Sequence, residues 1–176
     1  LTGTFTILPA DVSSARVTVL QSTYDYTGAP IDLQIEVVLG SDTLVLNRDY
    51  YLTFDPDDIN VGDVTFIVHG KEDGGNYTGS VDTDIYGNIL TFTINGAPIT
   101  PDDIELTHAS EQELVYTGSG ITPGVVVNVG GRQLVECTDY RIDYVNNVNV
   151  GTKTASVVVY GMGSYRRVDD HGQDIP

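Results

Sequence analysis

The chain has 176 residues, of which 40% are hydrophobic and 19% charged, with 25 acidic against 8 basic side chains and a formal charge of −17. That mixture is too apolar for a disordered tail, and too acidic for a surface that grips nucleic-acid phosphates or anionic lipid. The lone cysteine, Cys137, closes no internal disulfide, and no Cys/His spacing fits zinc.

The opening residues Leu1 to Ile7, LTGTFTI, alternate threonine with apolar side chains, so a strand is expected there. The segment resembles LTFTI at Leu90–Ile94 and reads as the closing strand of a preceding repeat, ahead of a first β-module at 8–94 and a second at 95–176. No leader pattern and no apolar run near 18 residues occurs, so neither a signal peptide nor a membrane insertion is read in this stretch.

The two modules are copies. Tyr26 to Phe54 lies over Tyr116 to Tyr144 without a gap across 29 positions, and ten are identical: Tyr26, Thr27, Gly28, Ile31, Val37, Gly40, Leu44, Val45, Asp49 and Tyr50 with their partners 90 residues on. Unrelated segments of this length would share about two. Asn60–Gly62 recurs at Asn149–Gly151, Gly70 answers to Gly161, and LPADV from Leu8 resembles TPDDI from Thr100.

Within a copy, Ile31, Leu33, Ile35, Val37 and Leu39 alternate with polar residues, as a strand with one buried face requires, and Ile121, Val125, Val127 and Val129 keep the parity. Tyr50–Phe54 and Val64–Val68 form the next strands, matched by Tyr140–Tyr144 and Ser156–Tyr160. Turn residues at Gly40, Gly130, Asn146 and the two NVG triplets separate them. Single helical turns are expected at DPDD from Asp55 and TPDD from Thr100, which place a cap, a proline and two acids in helix-start order.

The expected fold is therefore all-β: two tandem immunoglobulin-like β-sandwich modules of some seven strands, with β-grasp-like modules as the alternative. A junction as short as NGAP after Ile94 is expected to make a semi-rigid rod. The closing residues from Gly161 lose the repeat pattern, so the second module is expected to lack its own last strand. A neighbouring LTGTFTI could add along the edge left open.

The order Y-T-G, alternating valines, D-Y, Y-x-N-N-x-N-x-G-T and G-x-G-x-Y is carried by Tyr116, Thr117, Gly118, Gly131, Leu134, Thr138, Asp139, Tyr140, Tyr144, Asn146, Asn147, Asn149, Gly151, Thr152, Gly161, Gly163 and Tyr165. It resembles the tandem extracellular repeats of bacterial surface proteins, the MBG-type and bacterial immunoglobulin-like modules. The resemblance implies a cell-surface or extracellular location and a spacer or adhesive role. It also marks departures: Cys137 stands where the family pattern has glycine, and the first copy has Asn47 nearby, so the turn before each Asp-Tyr pair is expected to be altered. Lys71 to Asn88 is longer than its counterpart and is the expected seat of any copy-specific feature.

His69, His108 and His171 stand in no nucleophile-like context, and neither G-x-S-x-G nor a phosphate loop occurs, so no enzyme and no cofactor is expected. Calcium is the one metal hypothesis. DTDIYGN from Asp82 sets acids at the first and third places and Gly87 at the sixth, but Tyr86 and Thr93 stand where later EF-hand ligands belong. A looser oxygen site from Asp82 and Asp84, or from Asp55, Asp57 and Asp58, stays open beside the plainer alternative of solvated hairpin acids. Tyr26, Tyr50, Tyr116 and Tyr140 recur and are expected to pack. Among the others, Tyr24, Tyr51, Tyr77 and Tyr86, a ligand contact is sought first at Tyr77 and Tyr86.

Three functions follow as expectations: a non-enzymatic stalk or adhesin segment of a bacterial surface or secreted protein, a glycan- or protein-binding module with specificity in 71–88, or a subunit assembling by strand exchange. The partners are neighbouring repeats of the same chain and a host glycan or extracellular protein.

Overall fold

A computed structural model describes residues 2–72, 75–107 and 114–176. His108 lies outside them. The chain divides into two compact units, Leu1–Ile94 and Asn95–Pro176. It is an all-β protein, with three single 3₁₀ turns as its only helical structure among the described residues. The β-grasp alternative needs a helix packed across a sheet and is set aside. Among the described residues no helix is long and apolar enough to cross a membrane.

The first unit contains β1 (Ala10–Asp11), β2 (Arg16–Val19), β3 (Thr23–Asp25), β4 (Ile35–Leu39), β5 (Asp42–Thr43), β6 (Tyr50–Asp55), β7 (Gly62–Gly70), β8 (Tyr77–Thr78), β9 (Ser80–Val81) and β10 (Thr91–Asn95). One sheet runs β3-β10-β7-β6 with β9 on β7, a second runs β2-β4-β5, and β1 pairs with β8 in parallel. The sheets enclose a single core. Val17 and Val37 come from one face, and Val64, Phe66, Val68, Phe92 and Ile94 from the other. The period-two alternation has put Val64, Phe66 and Val68 on the buried side of β7 while Asp63 and Thr65 face water. Phe92 sits between Phe54 and Phe66, at ring-centroid distances of 6.0 and 6.3 Å, and meets the edge of Tyr24 at 5.7 Å.

The second unit contains β11 (Ile104–Thr107), β12 (Gly124–Val129), β13 (Arg132–Gln133), β14 (Tyr140–Val145) and β15 (Ser156–Gly161). Its sheets are β11-β12-β13 and β14-β15. Counterparts of β3 and β10 do not occur among its described residues, and among those residues β15 pairs with β14 alone. Its buried apolar residues are Ala97, Val127, Leu134, Tyr140, Val159 and Tyr165, a much smaller set than the core of the first unit.

Several expectations are corrected. Thr2 to Pro9 form no strand, and Phe5 and Ile7 are 86% and 82% exposed; among the described residues none pairs with them. The strand expected from Ile31 begins only at Ile35: the Leu33 N–H turns back to the Ile31 carbonyl at 3.0 Å, and Ile31 N–H donates to Asp58 O at 2.9 Å. DPDD makes bends after a cis Asp55–Pro56 bond and no helical turn, whereas Pro101–Asp103 does form a 3₁₀ turn, with Thr100 N–H donating to the Asp103 carboxylate at 2.7 Å. LPADV and TPDDI are not equivalent. Val17 lies opposite Val37 and Ile104 opposite Val127, which aligns the units there with an offset of 104 − 17 = 87 residues, against the 92 that those letters imply.

The turn before each Asp-Tyr pair takes the same form in both units. Asn47 and Cys137 both adopt φ 65°. Their N–H groups donate to the Tyr50 and Tyr140 carbonyls at 2.7 and 2.8 Å. Asparagine tolerates this left-handed conformation through its short polar side chain, and the surrounding bonds hold the cysteine in it at some strain.

Candidate functional site

The residues that recur most faithfully build one structural device. Asp49 and Asp139 are buried, and each accepts the N–H of a valine four residues back, Val45 at 2.8 Å and Val135 at 2.9 Å. The carbonyls of those valines accept the Asp49 and Asp139 N–H in return, both at 2.8 Å. The Leu44 and Leu134 N–H groups donate to Val37 and Val127 carbonyls at 2.8 Å, tying the loop to β4 and β12. Each aspartate also faces an arginine, but from a different position: Arg48 at 2.7 Å in the first unit and Arg132 at 3.4 Å in the second. The Arg48 side chain, by hydrogen bonding, holds the Asp49 carboxyl below the usual carboxylate range. A buried carboxylate so paired fixes a loop and is not free for chemistry.

Gly70 and Gly161 share a second device. A Cβ on Gly70 would come within 2.7 Å of the Thr78 backbone, and one on Gly161 would overlap the Tyr165 carbonyl. Both positions let a crossing chain lie flat on the end of a strand.

The calcium candidates are spread over two loops. Asp84 Oδ1 accepts the Tyr86 N–H at 2.8 Å and the Asn88 N–H at 2.9 Å, while Oδ2 accepts Asn88 Nδ2 at 2.9 Å. The Asn88 side-chain bond leads in lowering its pKa. Asp57 does the same with the Ile59 N–H at 2.9 Å and, from Asn60, the N–H at 2.8 Å and Nδ2 at 2.9 Å. The Asn60 side chain is the main cause of its lowered pKa. Asp55 ends β6, and the Asp82 and Asp58 carbonyls accept Leu90 and Ile31 N–H groups at 2.9 Å. Among the described residues no three acidic, histidine or cysteine side chains converge as a metal site. The acid-x-x-glycine spacing that resembles a calcium loop is a turn grammar: the aspartate caps the loop and Gly87, at φ 81°, closes it.

That grammar exposes a repeat that letter matching missed. Asp169 Oδ1 accepts the His171 and Gln173 N–H groups at 2.9 Å, its own N–H donates to the Gln173 carbonyl at 2.8 Å, and Gly172 has φ 76°. The bond from Leu90 N–H to Asp82 O recurs from Ile175 to Arg167, also at 2.9 Å. Residues 167–175 therefore repeat the hairpin of 82–90, corrected from a segment where the pattern seemed lost. The signal was Asp and Gly three apart, too sparse to find by identity at a new offset of 85. Lys71 to Asn88 is thus specific to its copy only in its first part, where Gly70 to Asp84 spans 84 − 70 = 14 residues against 169 − 161 = 8 from Gly161 to Asp169.

The tyrosines separate. Tyr77 and Tyr24 pack against the core, and Tyr24 Oη accepts the Gln34 N–H at 2.9 Å. Tyr77 matches the buried Tyr165 of the second unit, so it is a scaffold residue. Tyr51 stacks on His69 at 4.9 Å, and His69 Nε2 meets Thr53 Oγ1 at 2.9 Å. Tyr86 is 82% exposed and stands with Ile85 and Ile89 on one wall of a groove of about 450 Å³, whose other wall is Arg16–Val19 of β2. Among the described residues strand β2 pairs with β4 alone, and its four residues line the groove. Arg16 is within 3.7 Å of Glu36. An edge strand, two isoleucines and a tyrosine can seat an extended or planar apolar group, with Asp84 also in the lining.

Comparison with protein-family models, curated proteins and solved structures finds no match.

Proposed function

We propose that the chain is a non-enzymatic pair of tandem immunoglobulin-like β-sandwich modules, serving as a stalk or adhesive segment of a bacterial cell-surface or secreted protein. The observation that carries this reading is where the repeated residues go. Asp49 with Asp139, Tyr50 with Tyr140, Gly70 with Gly161, and the hairpins of Asp84 and Asp169 are all spent on holding chain against chain. Duplicating scaffold in this way lengthens a molecule without duplicating a reaction. The strongly acidic, sparsely basic composition suits a solvated spacer that resists aggregation.

A second reading, a glycan- or extracellular-protein-binding module, is favoured by the groove beside Tyr86, which has an exposed aromatic next to an open strand edge. Arrays of glycans and extracellular proteins separate the two. A spacer gives no saturable binding. Saturable binding that Tyr86→Ala abolishes, with the fold intact by circular dichroism, overturns the spacer in favour of the binding module.

A further inference from the structure

We propose that the groove between β2 and the Asp84 hairpin seats an extended segment of a basic partner protein, whose main chain pairs with Val17 and Val19 and whose alternate apolar side chains fill the groove. This rests on the binding-module reading of the same groove and names what that module takes.

The edge of β2 is defined by its ladder. Arg16, Val17, Thr18 and Val19 lie opposite Val38, Val37, Glu36 and Ile35, and the Leu20 N–H donates to the Gln34 carbonyl at 2.9 Å. In an antiparallel ladder both main-chain groups of a residue point to one side, and the side alternates along the strand. Leu20, Thr18 and Arg16 therefore turn to β4, while Val19 and Val17 turn away from it. The Val37 carbonyl, opposite Val17, accepts the Leu44 N–H at 2.8 Å on its far side, as this parity requires. All of β2 and none of β4 lines the groove, so Val17 and Val19 present their N–H and C=O groups to it. Among the described residues those groups have no partner. The open edge belongs to the module: β11, which has a whole unit ahead of it in the chain, likewise pairs among the described residues with one strand alone, β12.

The opposite wall sets the first unit apart. Hairpins 82–90 and 167–175 keep their cap and turn, Asp84 with Asp169 and Gly87 with Gly172, but Ile85, Tyr86 and Ile89 give way to Asp170, His171 and Asp174. The cap and the glycine hold the hairpin whichever residues stand at its tip, which leaves that apolar trio free to serve a ligand. Ile85, Tyr86 and Ile89 are 61%, 82% and 65% exposed, beside a floor of buried Val17 and Leu90. A docked strand covers them, and the space of about 450 Å³ lies within the usual range for a ligand site. Main-chain groups offered two residues apart match a polypeptide strand better than a glycan.

Charge names the partner. The lining holds one acid, Asp84, and one base, Arg16, which is shared with Glu36 at 3.7 Å. In a strand whose apolar residues pair with Val17 and Val19, the residue between them lies beside Thr18 and points outward. Glu36, opposite Thr18 on the next strand, is then about 10 Å away in the same row, within reach of a lysine or arginine. The exposed ring of Tyr86 offers a second cation a face. A formal charge of −17 draws a basic segment and repels an acidic one, a second copy of this chain included.

Fluorescence anisotropy of a labelled, capped peptide Lys-Val-Lys-Val-Lys titrated with the full chain tests this. Saturable one-to-one binding is expected, weakening as salt rises, with hydrogen exchange slowed at the Val17 and Val19 amides. Three companion peptides should bind at least about tenfold more weakly: Glu-Val-Glu-Val-Glu, Lys-Gly-Lys-Gly-Lys, and the first peptide methylated on both valine nitrogens, which lacks the donors that face β2. In the chain, Tyr86→Ala and Ile89→Asp, which copies Asp174, should each weaken binding with the fold intact by circular dichroism, and His171→Ala should leave it unchanged. Equal binding of any companion peptide overturns the proposal, as does binding that Ile89→Asp leaves untouched. A glycan or folded protein held saturably through Tyr86, with no peptide bound, overturns it and leaves the binding-module reading standing. A chain that binds no peptide, glycan or extracellular protein overturns both.

Discussion

Tyr26 and Tyr116 hold the same place in the repeat, yet Tyr26 packs against a core and Tyr116 is 57% exposed. The loops around them are alike. Thr27 and Thr117 accept the N–H two residues on at 3.3 Å, and Gly28 and Gly118 take φ near 80°, at 77° and 81°. One difference is distant in sequence: β10, Thr91–Asn95, lies beside β7 in the first unit's sheet, and no counterpart occurs among the described residues of the second. Local turn chemistry therefore survives where the core that it serves is thin. Turns are fixed by bonds within a few residues, while burial depends on strands brought from far along the chain.

The sharpest way to break this comparison is in the core. Phe66→Ala should cost the first unit about 3–5 kcal/mol, and Val157→Ala, at the matching place, about 1 kcal/mol or less, because its site is already half open. Urea denaturation followed by near-ultraviolet circular dichroism should give separate shifts for the two units. Equal losses would mean that the second core is as closed as the first.

Removing the repeated acid should instead affect both units alike. Asp49→Ala and Asp139→Ala each strand a valine N–H and should cost about 1–3 kcal/mol, whereas Arg48→Ala and Arg132→Ala, which remove exposed and solvent-screened partners, should cost clearly less. A large difference between the two aspartates would show that the loops only look equivalent. The pH dependence follows in sign from the same bonds. In the first unit Asp49, Asp57, Asp84 and Asp11 have their pKa values lowered, by Arg48, Asn60, Asn88 and the Ser13 N–H first in each case. A carboxyl lowered on folding contributes stability that is whole above its unfolded value of about 3.9 and is lost as pH falls through the folded one. Thermal melts should thus show the first unit weakening only below about pH 4, and weakening between pH 7 and 5 would contradict these assignments.

Smaller effects sharpen the turn. Cys137→Gly relieves a left-handed cysteine and should stabilise the second unit by about 0.5–1 kcal/mol. Asn47→Gly should change the first by less, since asparagine accepts that conformation. Calcium is the smallest expected effect. With Asp84 and Asp57 already accepting three N–H bonds each, millimolar calcium should leave the melting temperature unmoved, and a rise reversed by chelator would favour the metal hypothesis instead.

Much of the fold was legible because the two devices that write it are short-range. Period-two alternation placed Val64, Phe66 and Val68 inward, and the gapless offset of 90 carried Asp49 onto Asp139 and Asn47 onto Cys137. Helical signals were read less well. DPDD and TPDD differ only in their first letter, but Asp57 finds its donors in Ile59 and Asn60 and bends the chain without turning it into a helix. The hairpin at 167–175 escaped because only its cap and its glycine are constrained by geometry, leaving the other positions free to change. Of the site residues, Tyr77 and Tyr86 could not be told apart by sequence: one enters the parallel β1–β8 pair and is covered, the other tips a hairpin.

Residue-resolved native-state hydrogen exchange on a dilute sample tests the central claim most directly. A closed first unit and an open second one predict that the Phe66 and Val64 amides exchange only with unfolding of their unit, while Val157 and Ala155 exchange orders of magnitude faster than their counterparts. Equal protection at the two pairs would contradict the account.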